Sequence, residues 1–157
     1  MCPGLARGFT GRRLALAMQP SRMMSEPTTT QGTILLAEDD DEFRRLLSAM
    51  LRTAGYTVIE ARDGVQLVEL VHTRCLAPKG KPAIDLVVTD VRMPGPSGLA
   101  SVALLRQRDW ATPVIVITAF GDTVTHAEAH RLGATATLDK PFPLAVLRAL
   151  VERLVSA

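Results

Sequence analysis

Five short apolar runs alternate along the chain with longer stretches whose apolar residues recur every three or four positions. The runs at 33–37, 56–60, 84–90, 113–118 and 134–138 predict strands, and Pro113-Val114-Ile115-Val116-Ile117-Thr118 is the strongest of them. Between them, Phe43, Leu46, Leu47, Met50 and Leu51 form a helical stripe, with Arg44, Arg45 and Arg52 off it and Gly55 as a stop. Asp63-Gly64 turns into a second helix carrying Val65, Leu67, Val68, Leu70 and Val71. Ser97 caps a third, with Leu99, Val102 and Leu105 inward. A weakly amphipathic helix from Thr123 ends at Gly133. The last carries Leu144, Leu147, Leu150, Val151 and Leu154. Strands alternating with helices predict an α/β fold: a doubly wound, five-stranded parallel sheet covered on both faces, with right-handed crossovers.

The strand ends carry the candidate chemistry. Glu38-Asp39 follow the first strand, Asp90 ends the third, Thr118 ends the fourth, and Lys140 follows the fifth. In an open α/β sheet these carboxyl ends share one edge, where ligands gather. Glu38 and Asp39 open a run of five acids. Asp40 or Asp41 can cap the next helix, which leaves Glu38 and Asp39 without a structural task. Adjacent carboxylates call for a cation, and carboxylate with water suits Mg2+ or Mn2+. With Asp90, Thr118 and Lys140 the set suits a phosphoryl group. The metal, the ammonium and the hydroxyl can each take one oxygen while Asp90 acts as nucleophile, making an aspartyl-phosphate. None of His72, His126 and His130 falls in this predicted site, and a carboxylate nucleophile needs no general base.

Composition changes the picture only at the start of the chain. Of 18 Lys and Arg, Arg7, Arg12, Arg13 and Arg22 precede the first acid, Glu26. Without them 14 basic residues face 16 acidic ones, so the net charge of +2 belongs to the first segment. The remainder offers no basic face for nucleic acid, and no direct DNA binding is expected. Residues 1–32 mix Pro, Gly, Ser, Thr, Met and Arg without periodicity and read as a disordered tail, with Met23 or Met24 as alternative initiators. Residues 74–83 read as an inserted loop away from the site. Cys2 and Cys75 are isolated thiols, which fits a reducing cytosol and a cytoplasmic protein. No apolar stretch approaches the roughly 20 residues that span a bilayer.

The stretches "ILLAEDD", "DLVVTDVRMPGPSGL", "VIVITAFGD" and "LDKPF", in that order, closely resemble the receiver domain of bacterial response regulators. The resemblance covers residues 33–157 apart from the last few. It implies a flavodoxin-like (βα)5 sheet of order 2-1-3-4-5. It also implies phosphorylation of Asp90 by a histidine kinase or histidine phosphotransfer protein, with weak autophosphatase activity. Mg2+ would be held by Glu38, Asp39, Asp90 and the backbone carbonyl of Arg92. Thr118 and Lys140 would bind the phosphoryl oxygens, with a cis Lys140-Pro141 bond, and Thr118 would move toward the phosphate. Phosphorylation would then shift a pre-existing two-state equilibrium and remodel the surface of the fourth helix, fifth strand and fifth helix.

Two positions depart from the family's habit. Thr137 stands three residues before the site lysine, where the family usually carries Tyr or Phe, and a threonine has no ring to swing. Arg92 sets a long cation beside the acceptor. Arg92 and Phe120, each two residues past a site residue, are expected to set phosphate lifetime by controlling water access. No output module is recognisable after the last helix. The expectation is therefore a stand-alone receiver, monomeric or dimerising on phosphorylation, that signals to an unidentified output protein. A phosphorylation-independent adaptor is the alternative. A phosphatase resembling the haloacid dehalogenases would need a second Asp where Arg92 stands. Gly95 and Gly98 do not complete G-x-G-x-x-G.

Overall fold

Parallel strands buried on both faces need apolar side chains at successive positions, and the central strands have them. In a computed structural model, which describes residues 30–75, 83–108, 110–119 and 122–157, the elements alternate β1 (Thr33–Ala37), α1 (Asp41–Thr53), β2 (Thr57–Ala61), α2 (Gly64–Cys75), β3 (Leu86–Asp90), α3 (Gly98–Gln107), β4 (Val114–Ala119), α4 (Thr123–Leu132), β5 (Ala136–Lys140) and α5 (Leu144–Val155). All pairings are parallel. The order is β2-β1-β3-β4-β5. The chain reverses its direction of winding between β1 and β3, at the sheet's centre.

The pleat divides the core in two. Ile34, Leu36, Val88, Ile115 and Ile117 face α1 and α5, meeting Leu47, Leu51, Leu147 and Val151. Leu35, Ala37, Val87 and Val116 face the other way, toward Leu67, Val71, Val102 and Leu105. Among the described residues no helix is long and apolar enough to cross a membrane. The tail predicted at 1–32 falls almost wholly outside the described residues, as do Met23, Met24 and most of the loop predicted at 74–83.

Two local expectations need correction. On α1 the buried face is Arg44, Leu47, Ser48 and Leu51, while Leu46 is 50% exposed. The inward line thus runs i, i+3, i+4, i+7 from an arginine, because Glu60 of β2 accepts from both Arg44 and Ser48. The last strand lies two residues further on than predicted. Thr135 forms the entry to β5: its amide donates to Val114 O at 2.8 Å, and its hydroxyl oxygen accepts from Val114 N at 3.0 Å. Pairing then continues to Ala119 opposite Lys140. As an edge strand half-buried at every position, β5 lacks a sharp apolar pattern.

Candidate functional site

The strands deliver the predicted residues to one edge of the sheet. Glu38 is the first residue beyond β1 and is 1% exposed, Asp90 ends β3 at 7%, and Thr118 is the penultimate residue of β4 at 2%. Lys140 ends β5. Ile117 lies opposite Asp90, so Thr118 stands one step further along the same edge. Asp39 is exposed in the bend between β1 and α1, while Asp40 caps α1 by accepting from Phe43 N at 2.8 Å.

One ammonium joins two of the carboxylates. Lys140 Nζ donates to Asp90 Oδ2 at 2.5 Å and to Glu38 Oε2 at 3.0 Å. The other oxygen of each acid is also engaged. Arg92 N donates to Asp90 Oδ1 at 3.0 Å, and Asp40 N to Glu38 Oε1 at 3.1 Å. The Arg92 side chain is exposed. Phe43 supports Lys140 from the side, with Nζ 4.8 Å from the ring centroid and Phe142 meeting that ring edge-on at 5.9 Å. These residues, with Asp40 and Pro141, line an open hollow of about 340 Å³. The Lys140-Pro141 bond is cis, as the resemblance implied.

Electrostatics mark the site as short of positive charge. Burial pushes the Glu38 carboxyl up to about 7, and the Asp40 amide and Lys140 offset only part of that. Burial opposes the charge on Lys140 too, but Asp90 and Glu38 outweigh it and hold the ammonium above its ordinary pKa. Oxygens of Glu38, Asp39 and Asp90 lie within 4.8 Å of one another. An all-oxygen set with more carboxylates than cations, partly open to water, fits a hard divalent ion that keeps some waters.

Glycine lets the loop after Asp90 close on itself. A Cβ at Gly98 would fall 2.1 Å from the Asp90 carbonyl oxygen, so the start of α3 approaches the end of β3 more closely than any side chain permits. Gly98 N donates to Val91 O at 3.1 Å and Gly64 N to Pro94 O at 3.0 Å, which ties the loop after Asp90 to α3 and α2.

Sequence reasoning missed two groups. Arg44, off the predicted apolar stripe, is 3% exposed and donates to the Glu38 carbonyl at 2.9 Å. The i, i+3, i+4, i+7 line it forms with Leu47, Ser48 and Leu51 was the available signal. The second is His126, outside the site as expected but held between Thr137 and Asp139 of β5. Phe120 lies outside the described residues.

The family model for the response regulator receiver domain matches residues 34–152. The DNA-binding transcriptional regulator NtrC of Escherichia coli K12 is 35% identical over 126 residues, 80% of this chain and 25% of that protein. The transcriptional regulatory protein CpxR of the same strain is 37% identical over 124 residues, 76% of this chain and 49% of that one. The chain therefore spans between a quarter and a half of these curated relatives. The structure of the chemotaxis response regulator CheY4 of Vibrio cholerae aligns with a TM-score of 0.69 at 28% identity, covering 80% of this chain and 99% of that chain.

Proposed function

The chain belongs to the receiver-domain family of two-component response regulators, and from that premise we propose that Asp90 accepts a phosphoryl group from a histidine kinase or histidine phosphotransfer protein. The observation that carries the reading is the bridge of Lys140 Nζ between Asp90 and Glu38, with Asp39 alongside. The receiver is proposed to span 33–157.

In the transfer a carboxylate oxygen of Asp90 attacks phosphorus. The new O–P bond forms as the donor's N–P bond breaks, and the donor imidazole leaves with the electron pair. Lys140 exchanges the Asp90 oxygen for a phosphoryl oxygen, and the Thr118 hydroxyl donates to another. Glu38, Asp39, Asp90 and the Arg92 carbonyl would hold Mg2+, or Mn2+ in its place. When bound, the ion supplies positive charge against the phosphoryl oxygens. Catalysis rests on position and charge rather than on a general base. The same residues support weak autophosphatase activity, with the exposed Arg92 side chain limiting water access. Output passes through changed protein–protein contacts. The DNA-binding and transcriptional roles named for NtrC and CpxR belong to those longer proteins.

The alternative, a phosphorylation-independent adaptor, is favoured by one observation: Thr137 bonds His126 where the family usually carries a ring. The experiment is intact mass spectrometry after incubation with a small phosphodonor, with and without Mg2+, beside Asp90→Asn. A single Mg2+-dependent phosphoryl adduct, absent from the variant, supports phosphoacceptance. No adduct on a folded protein favours the adaptor.

A further inference from the structure

A guanidinium that is 3% exposed is costly unless its donors are all used. Those of Arg44 reach β2, the start of its own helix and the residue just beyond β1. Nε donates to Glu60 Oε2 of β2 at 3.2 Å, Nη2 to Asp41 at the start of α1, and Nη1 to the backbone carbonyl of Glu38 at 2.9 Å. Asp41 and Glu60 balance its charge, and both keep contact with solvent. Neither requires a buried partner. The bond to Glu38 O is the one that needs a donor inside the fold, because Glu38 is itself 1% exposed.

That carbonyl needs a partner because the sheet stops there. Glu38 N still donates to Ala61 O at 3.1 Å, but β2 ends at Ala61, so Asp63, whose amide would continue the parallel ladder to the Glu38 carbonyl, lies beyond the strand. Arg44 takes the place of the missing strand residue. The Glu38 peptide is thus held on the amide side by β2 and on the carbonyl side by α1. Asp40, two residues on, is fixed as the cap of α1. Asp39, exposed, is suspended between two anchored neighbours.

We infer that Arg44 is a positioning residue for the metal site: by clamping the Glu38 carbonyl to α1 and β2, it holds the 38–39 segment so that Glu38 and Asp39 converge with Asp90 before any ion arrives. This rests on the reading of Glu38, Asp39 and Asp90 as divalent-cation ligands. Glu60 belongs to the same device. Its Oε1 accepts from Ser48 Oγ and from Arg52 Nη2, each at 2.9 Å, so Arg44 meets a fixed carboxylate.

The test measures Mn2+ affinity by electron paramagnetic resonance of the free ion, on wild type, Asp39→Asn, Arg44→Lys and Glu60→Gln. Asp39→Asn reports on the ligand assignment: if it binds as tightly as wild type, or wild type binds no Mn2+, the site reading itself fails and the inference falls with it. With that control behaving as a ligand loss, Arg44→Lys, which keeps the charge and loses the fork, weakens Mn2+ about tenfold or more, as loss of a supporting hydrogen bond to a metal site does. The Mg2+ concentration giving half-maximal phosphorylation rises in step, while the rate at saturating Mg2+ returns close to that of wild type. A purely structural role would leave that half-saturation point unchanged. A folded Arg44→Lys with wild-type Mn2+ affinity overturns the inference. Should Arg44→Lys not fold, Glu60→Gln decides: weaker Mn2+ binding upholds the clamp, and unchanged binding overturns it.

Discussion

Thr137 Oγ1 and His126 Nδ1 are hydrogen-bonded at 2.8 Å, and Nε2 of the same ring lies 2.5 Å from Asp139 Oδ1. One imidazole in α4 is therefore gripped at both nitrogens by β5. Asp139 stands opposite Thr118 in the β4–β5 register, so the residue expected to follow the phosphoryl group pairs with the strand that holds α4. At the position where the family usually carries a ring, the chain has a polar tie from β5 to α4.

His126→Ala removes that tie. It is expected to lower the local stability of α4 by about 1 kcal/mol per lost bond, and the exchange of amides within Thr123–Leu132 speeds accordingly. Phosphorylation of Asp90 by a small donor is expected to continue at the wild-type rate, because the ring's hydrogen bonds go to Thr137 and Asp139 and not to a site residue. Hydrogen exchange read by mass spectrometry checks the first statement. Unchanged α4 protection would show that the tie carries no load.

Lys140→Met leaves Asp90 and Glu38 without their shared cation. A fully buried pair broken on one side costs about 3–5 kcal/mol. Here the loss is expected to be about 2 kcal/mol, because the Lys140 side chain is 33% exposed and Glu38 can take up a proton. Urea unfolding in chelator measures this, and the variant is also expected to accept phosphoryl groups far more slowly.

The pH dependence follows from Glu38, whose carboxyl moves from 4.5 to about 7 in the folded protein. Between those values the metal-free fold keeps a proton that the unfolded chain has released. That stabilisation is complete below the unfolded value and is lost as pH rises through about 7. Mg2+ competes with the same proton. The rise in Tm on adding Mg2+ should therefore grow between about pH 6 and about pH 8. A shift that is flat across this range would contradict the assignment of Glu38 as a ligand.

Gly98→Ala forces a Cβ to 2.1 Å from the Asp90 carbonyl. The obstacle is backbone, which cannot rotate away, so a loss of about 3 kcal/mol is expected. Urea denaturation gives the value directly. A loss smaller than about 1 kcal/mol would mean that α3 and the end of β3 separate freely.

The architecture was legible because β1, β3 and most of β4 are buried on both faces and so read as unbroken apolar runs. The site was legible for a related reason. Residue types that end a strand end it at the same edge, and Glu38, Asp39, Asp90, Thr118 and Lys140 needed only that rule to be grouped. What escaped depends on partners distant in sequence. Arg44 looks like a surface cation until Glu60, on another element, is known to face it. The tie of Thr137 to His126 crosses from strand to helix with no pattern to announce it. Strand β5 was misplaced by two residues because an edge strand half-buried throughout gives hydrophobicity little to distinguish.

The measurement closest to the central claim is reduction of the phosphorylated protein with borohydride, followed by peptide mapping. Borohydride converts an acyl phosphate on aspartate to homoserine and leaves phosphoserine, phosphothreonine and phosphohistidine alone. Homoserine at position 90, dependent on both donor and Mg2+, is the expected result. Label at any other residue, or none at position 90 in a protein that carries a phosphoryl adduct, would contradict the account.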